Sequence, residues 1–222
     1  MRSVFDIIGP PMIGPSSSHT AGAVRIGLAA RHLLGRLPEE AEIGLHGSFA
    51  ATGHGHATDR GIVAGLLGWT PDDDRLKNSL AAAAEAGLQV KLHIEDLGAS
   101  VHPNSTRVTL RARPSESLVM VASSVGGGSI EVVAVDGYAV RFSGALDTLV
   151  IWHDDRSGFL AHVTAVLACI DSNIATIRTA RMHRGADALT VIELDASPRA
   201  EVIALLREID HVKKLRVLPP QG

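Results

Sequence analysis

Leu146-Asp147-Thr148-Leu149-Val150-Ile151-Trp152-His153-Asp154-Asp155-Arg156-Ser157-Gly158-Phe159-Leu160 decides the fold of the C-terminal third. Leu146–Trp152 is a short apolar run suited to a buried strand, and Asp154 to Gly158 form a polar turn. Leu160, Val163, Val166, Leu167 and Ile170 then recur at helical spacing until Ser172-Asn173 stops the pattern. Ile174–His183 and Ala188–Asp195 read as two strands joined by Arg184-Gly185-Ala186-Asp187. Ser197-Pro198 pairs a capping hydroxyl with a first-turn proline, and predicts a helix with Val202, Leu205, Leu206 and Ile209 as its buried stripe. Val212–Leu218 supplies a last strand. The order βαββαβ is the ferredoxin-like plan, expected over residues 147–222.

Working back from there, residues 1–144 predict a separate α+β domain, with a short linker near Gly144. Helices are expected at about Thr20–Leu34, Thr58–Gly68 and, rich in alanine, Asn78–Ala86. Strands are expected at Glu42–Ser48, Gln89–Glu95, Thr106–Arg113 and Ser117–Ser124. Ile130–Val135 and Tyr138–Ser143 turn through Asp136-Gly137, a strong hairpin dipeptide.

Composition narrows the function. A net charge of -3 offers no basic surface of the kind nucleic-acid binding needs. No apolar run approaches the roughly 18 residues of a membrane span. Asp6, Gly9 and Pro10-Pro11 interrupt the N-terminus, which does not read as a secretory signal, so cytoplasm is the expected compartment. The single cysteine, Cys169, excludes a disulfide framework and any cysteine-held metal cluster built by this chain alone.

Chemistry concentrates in the N-terminal domain. Gly14-Pro15-Ser16-Ser17-Ser18-His19-Thr20-Ala21-Gly22 places three hydroxyls and an imidazole in a loop that opens a helix. One serine would suffice as a cap. Three, at a helix start whose free N–H groups favour anions, point to a site for a carboxylate or phosphate. His46-Gly47-Ser48 and the glycine-broken Thr52-Gly53-His54-Gly55-His56-Ala57-Thr58-Asp59 form a second cluster. Two imidazoles one residue apart are too few ligands for zinc. His54 is expected to be a solvent-exposed residue, and His56, beside the helix start, a general acid/base or substrate contact. His102-Pro103-Asn104-Ser105 is a turn before a strand. Gly126-Gly127-Gly128 is either a bulge or a close approach to a ligand.

Together with the opening Ser3-Val4-Phe5-Asp6-Ile7-Ile8-Gly9-Pro10, these stretches resemble, in order and separation, the beta chain of bacterial iron–sulfur L-serine dehydratase. The C-terminal unit is similar to an ACT domain, and the N-terminal domain resembles a substrate-binding domain also found in some phosphoglycerate dehydrogenases. Ala57 and Gly61 depart from the family's usual Gly-His-Gly-Thr-Asp loop with an alanine two residues later. The resemblance implies a lyase converting L-serine to pyruvate and ammonia. It implies a [4Fe–4S] cluster ligated by the cysteines of a separate alpha subunit, whose iron assists the departing hydroxyl while a base removes the α-proton. His19 and His56 are then the proton-transfer and carboxylate-holding candidates. Ser16, Ser17, Ser18, Thr20, Thr52, Gly53, Thr58 and Asp59 would bind substrate, and His102 and Asn104 would line the entrance or meet the alpha chain. In the ACT-like unit, Asp154, Asp155 and Asn173 occupy positions used for ligand contacts, and homodimerisation is expected as well.

Two other readings compete. A pyridoxal-phosphate dehydratase needs a Schiff-base lysine, and Lys77, Lys91, Lys213 and Lys214 lie in no glycine-rich cofactor loop. A non-catalytic regulatory subunit would use the same pocket to sense serine rather than to react with it.

Overall fold

The computed structural model describes residues 11–53, 55–170 and 172–221. The opening stretch through Pro10 and His54 lie outside them. The chain divides into compact units between Gly137 and Tyr138, within the predicted Asp136-Gly137 turn and ahead of the expected Gly144 linker.

In the first unit a single π-helical turn, Ser17–Ala21, runs into α1 (Gly22–Leu34), then β1 (Glu40–Leu45). Two helices follow, α2 (Gly47–Thr52) and α3 (Thr58–Leu67), then a 3-10 turn at Asp74–Asn78 and α4 (Ser79–Glu85). The strands are β2 (Gln89–Ile94), β3 (Ser105–Ala112), β4 (Glu116–Gly126) and β5 (Ser129–Val135), with β6 (Tyr138–Phe142) opening the second unit. Sheet order is β2-β1-β3-β4-β5-β6. Only β1 and β2 are shown pairing in parallel, which the α2–α4 crossover permits. Alternation decides the faces: Val108, Leu110 and Ala112 of β3 are buried while Arg107 and Arg111 face solvent.

Helices α1 and α3 touch backbone to backbone. A Cβ on Gly27 would stand 2.1 Å from the Ile62 carbonyl oxygen, and one on Gly65 2.0 Å from that of Val24. Thr20 and Ala23 lie against Gly61, and Val24 and Leu28 against Gly65, so the two helices run in the same direction. Their N-terminal loops therefore share one end of the unit.

The second unit contains β7 (Asp147–Asp154), α5 (Phe159–Ala168), β8 (Ile174–Arg181), β9 (Asp187–Leu194), α6 (Ala200–Arg207) and β10 (Val212–Leu218). Antiparallel order β10-β7-β9-β8 completes the expected ferredoxin-like βαββαβ. Leu149, Ile151, Ile192, Leu194 and Leu215 from the sheet meet Phe159, Val163, Leu167, Val202 and Leu206 from the helices. The whole chain is thus α+β. Among the described residues no helix is long and apolar enough to cross a membrane.

Several expectations need correction. Leu160, Ile170 and Leu205 face solvent; the fully inward sets are Phe159-Val163-Leu167 and Val202-Leu206, with the expected Val166 and Ile209 half-buried against them. Ser197 does not cap α6: its hydroxyl donates to Asp147 Oδ1 at 2.6 Å, and the helix begins after Arg199 without a side-chain cap. The strand expected to reach Ser48 ends at Leu45, because His46 already opens α2.

His153, near the end of β7, is almost fully buried and stacks on Phe159 with ring centroids 3.7 Å apart. Its Nδ1 lies 2.8 Å from the Asp154 carbonyl, which only accepts, so Nδ1 carries the proton. Nε2 therefore accepts from the Thr190 hydroxyl, also at 2.8 Å, and Thr190 in turn takes a hydrogen bond from Thr179. Asp154, Asp155 and Asn173 are engaged within the unit, with Lys213 and His211, with Arg181, and with Asp195 respectively.

Candidate active site

Three loops of the first unit converge around His19. Ser16 is the N-cap of the π turn, its hydroxyl accepting from the His19 backbone N–H at 3.1 Å. The turn is one residue wider than an α-turn, with the Gly22 N–H reaching the Ser17 carbonyl. Such single π turns recur at functional sites, because they turn side chains away from the helical positions they would otherwise hold. Gly22 admits this close packing: a Cβ there would stand 2.1 Å from the Ser124 hydroxyl on β4.

The second loop is tied to the first. The Thr20 hydroxyl donates to the His56 carbonyl at 3.1 Å, and the rings of His19 and His56 are 5.3 Å apart. Thr52 secures the turn, its carbonyl receiving the His56 backbone N–H and lying 3.2 Å from His56 Nδ1. A carbonyl cannot donate, so His56 carries its proton on Nδ1. Nε2, on an exposed ring with no other partner among the described residues, is left as the basic nitrogen.

Ser48 joins the third loop. Its hydroxyl is 3.1 Å from His19 Nε2, and its backbone N–H donates to the Pro103 carbonyl at 2.8 Å. Phe49 meets the His19 ring edge-on from beneath, fully buried. Burial, then the neighbouring His56, hold His19 below the ordinary histidine pKa, and hydrogen bonding at Ser48 opposes them. His19 is consequently a neutral imidazole near neutral pH.

The remaining predicted residues fall into two groups. The hydroxyls of Ser17 and Ser18 are half-buried and make no hydrogen bond among the described residues, so they are available to a ligand. Thr52, Gly53 and Thr58 use their polar backbone groups to hold the His56 loop, the Thr58 N–H bonding to the Gly53 carbonyl at 2.8 Å. The Thr58 hydroxyl is buried without a partner, and Asp59, in the first turn of α3, accepts from the Arg60 N–H. His102 is exposed and its ring accepts from the Asn104 backbone N–H, while the Asn104 carbonyl accepts from Ser124. Those two residues shape the turn that carries Pro103 to Ser48. Ser48 belongs to the His46-Gly47-Ser48 cluster but had no expected role, and Phe49 was not expected at the site; a six-residue helix is too short to show periodicity, and Ser48 reads as the end of a strand.

Ala57, between His56 and α3, stands in the left-handed region with φ of 60°. A methyl side chain there is strained, and glycine would not be.

No group of three or more histidine, cysteine, aspartate or glutamate side chains among the described residues could hold a metal ion. A cubane cluster needs three or four thiolates, and the chain has one, exposed Cys169 at the end of α5 in the other unit. Its residues do not fit a [4Fe–4S] centre.

Residues 3–98 match the family described as serine dehydratase beta chain. A Bacillus subtilis protein described as probable L-serine dehydratase, beta chain, is 41% identical over 211 residues, 95% of each chain. The L-serine dehydratase beta chain of Peptoniphilus asaccharolyticus is 37% identical over 193 residues, 87% of each. L-serine dehydratase 2 of Escherichia coli is 32% identical over 157 residues, covering 59% of this chain and 33% of that one.

Proposed function

This chain belongs to the serine dehydratase beta-chain family, and on that premise we propose that it is the beta subunit of a cytoplasmic L-serine ammonia-lyase. It would turn L-serine into pyruvate and ammonia together with an alpha subunit that bears a [4Fe–4S] cluster. The observation that carries this reading is the pair of imidazoles 5.3 Å apart, one held neutral by burial and one whose Nε2 has no partner among the described residues, beside two unengaged serine hydroxyls. The E. coli relative supports a partner: the matched region is a third of that chain, so most of that enzyme lies outside the stretch it shares with this one. Cluster ligation falls to the partner, since this chain offers a single thiol.

In this mechanism the substrate carboxylate is held by the hydroxyls of Ser17 and Ser18 at the mouth of the π turn. The Cα–H bond breaks, its proton passes to His56 Nε2, and the electron pair forms Cα=Cβ as the Cβ–O bond breaks; the hydroxide expelled takes up a proton from the His56 imidazolium and leaves as water. Aminoacrylate then tautomerises to an imine and hydrolyses to pyruvate and ammonia. His19, kept uncharged, orients the reactants and leaves room for the positive charge that His56 acquires.

Coexpression with a cysteine-rich alpha chain and assay of pyruvate tests the proposal. His56→Ala should lower turnover at least about 100-fold with the fold and the cluster intact. Near-normal turnover would remove His56 from the chemistry and favour the serine-sensing reading, and dehydration of serine by the isolated chain would refute the division of labour.

A further inference from the structure

Arg25 lies on the inner side of α1, only 8% exposed, with no carboxylate in ion-pair range among the described residues. Its one hydrogen bond runs from Nη1 to the Gly128 carbonyl, at 2.8 Å. Nε is buried and has no partner. Nη2 makes no hydrogen bond either, yet is absent from the buried unpartnered atoms, so the small opening to solvent lies on its side. Burial alone lowers the pKa of Arg25, with no charged neighbour contributing. A guanidinium stays protonated at any physiological pH, so a full positive charge is enclosed here with no opposing charge among the described residues. Arrangements of that kind are costly unless something completes them.

The surroundings add to the case. Gly126, Gly127 and Gly128, which join β4 to β5, all have left-handed φ, at 106°, 59° and 80°. A Cβ on Gly126 would meet nothing within 4 Å, so open space adjoins the loop that receives Nη1. Ser124, two residues earlier, has a second buried hydroxyl without a partner. With Nη1 occupied, the free edge of the guanidinium is the Nε/Nη2 edge, whose two parallel N–H groups match the two oxygens of a carboxylate.

We propose that Arg25 and the triple-glycine turn form a binding site for a small monocarboxylate, taken bidentately by the Nε/Nη2 edge. One positive charge in a nearly closed site suits one negative charge on a small acid. The site is independent of the proposed reaction at His56 and would stand if that reading failed.

Nitrogen-15 NMR of the full chain tests it, following the arginine Nε–H resonances during titration with sodium acetate, against sodium chloride at equal ionic strength. One Nε–H resonance should move saturably with acetate and not with chloride. Arg25→Lys, which keeps the charge and loses the fork, should abolish that resonance and weaken acetate binding at least about tenfold by calorimetry. If Arg25→Lys fails to fold, the wild-type titration still decides. No acetate-specific shift, or unchanged acetate affinity in a folded Arg25→Lys protein, overturns the proposal.

Discussion

His19 in the first unit and His153 in the second are both imidazoles held neutral by burial, yet they are placed for opposite ends. His153 has both nitrogens engaged at 2.8 Å, a stacked phenyl ring, and a hydroxyl chain behind it that fixes every donor. His19 has one firm contact at Ser48, a looser one of 3.4 Å at Ser16, a second imidazole as neighbour, and two idle hydroxyls beside it. Full satisfaction makes a histidine part of the core. Partial satisfaction, next to groups with nothing to bind, leaves it free for a ligand.

Paired substitutions should pull the two apart. His19→Ala, assayed with the alpha chain, should cut serine turnover at least about 100-fold while lowering unfolding free energy by about 1 kcal/mol or less. His153→Ala should do the reverse. It strands the Thr190 hydroxyl and opens a cavity against Phe159, for a loss of about 3 kcal/mol in denaturant unfolding, with activity per folded molecule unchanged. A His19 variant that unfolds the protein and retains rate would erase the distinction.

Titration offers a finer test. Both folded pKa values lie below the unfolded value of about 6.5, so each histidine contributes stability present above that pH. That contribution is lost as pH falls from about 6.5 through the folded value, because the unfolded chain binds the proton first. The causes differ: His153 is lowered by burial, His19 by burial and also by His56. In NMR titration His56→Gln should raise the midpoint of His19 and leave that of His153 in place. The smallest effect is expected at Ala57. Replacing it by glycine removes left-handed strain of about 1 kcal/mol and returns part of that as unfolded-chain entropy, for a net stabilisation of about 0.5 kcal/mol by thermal unfolding.

The second unit was legible because its periodicities are long and its turns polar. Strands and helices fell in the expected order, and the errors were the cap at Ser197 and the facing of Leu160, Ile170 and Leu205, where an apolar residue beside the stripe does not enter it. In the first unit the Gly14–Gly22 and Thr52–Asp59 runs stood out in the sequence, and the structure brings their histidines, His19 and His56, together. The roles of Ser48 and Phe49 escaped, since they depend on a short helix and on a turn more than fifty residues away at Pro103. Arg25 escaped for another reason. Nothing in Ala23-Val24-Arg25-Ile26-Gly27 says that an arginine there is enclosed; the apolar neighbours show an inward face, but only the packed sheet shows that no acid among the described residues shares it.

With Gly27 and Gly65 pressed onto the opposite backbone, α1 and α3 act as one strut, and both imidazole loops hang from the same end of it. The spacing between the rings is therefore set further along the helices, at residues that no substrate touches. Drift on the outward sides of these helices can proceed without consequence, whereas one methyl group on the seam would swing the two loops apart together. Among inactive variants recovered by random mutagenesis, some should accordingly lie on this glycine seam and be as damaging as the loss of an imidazole.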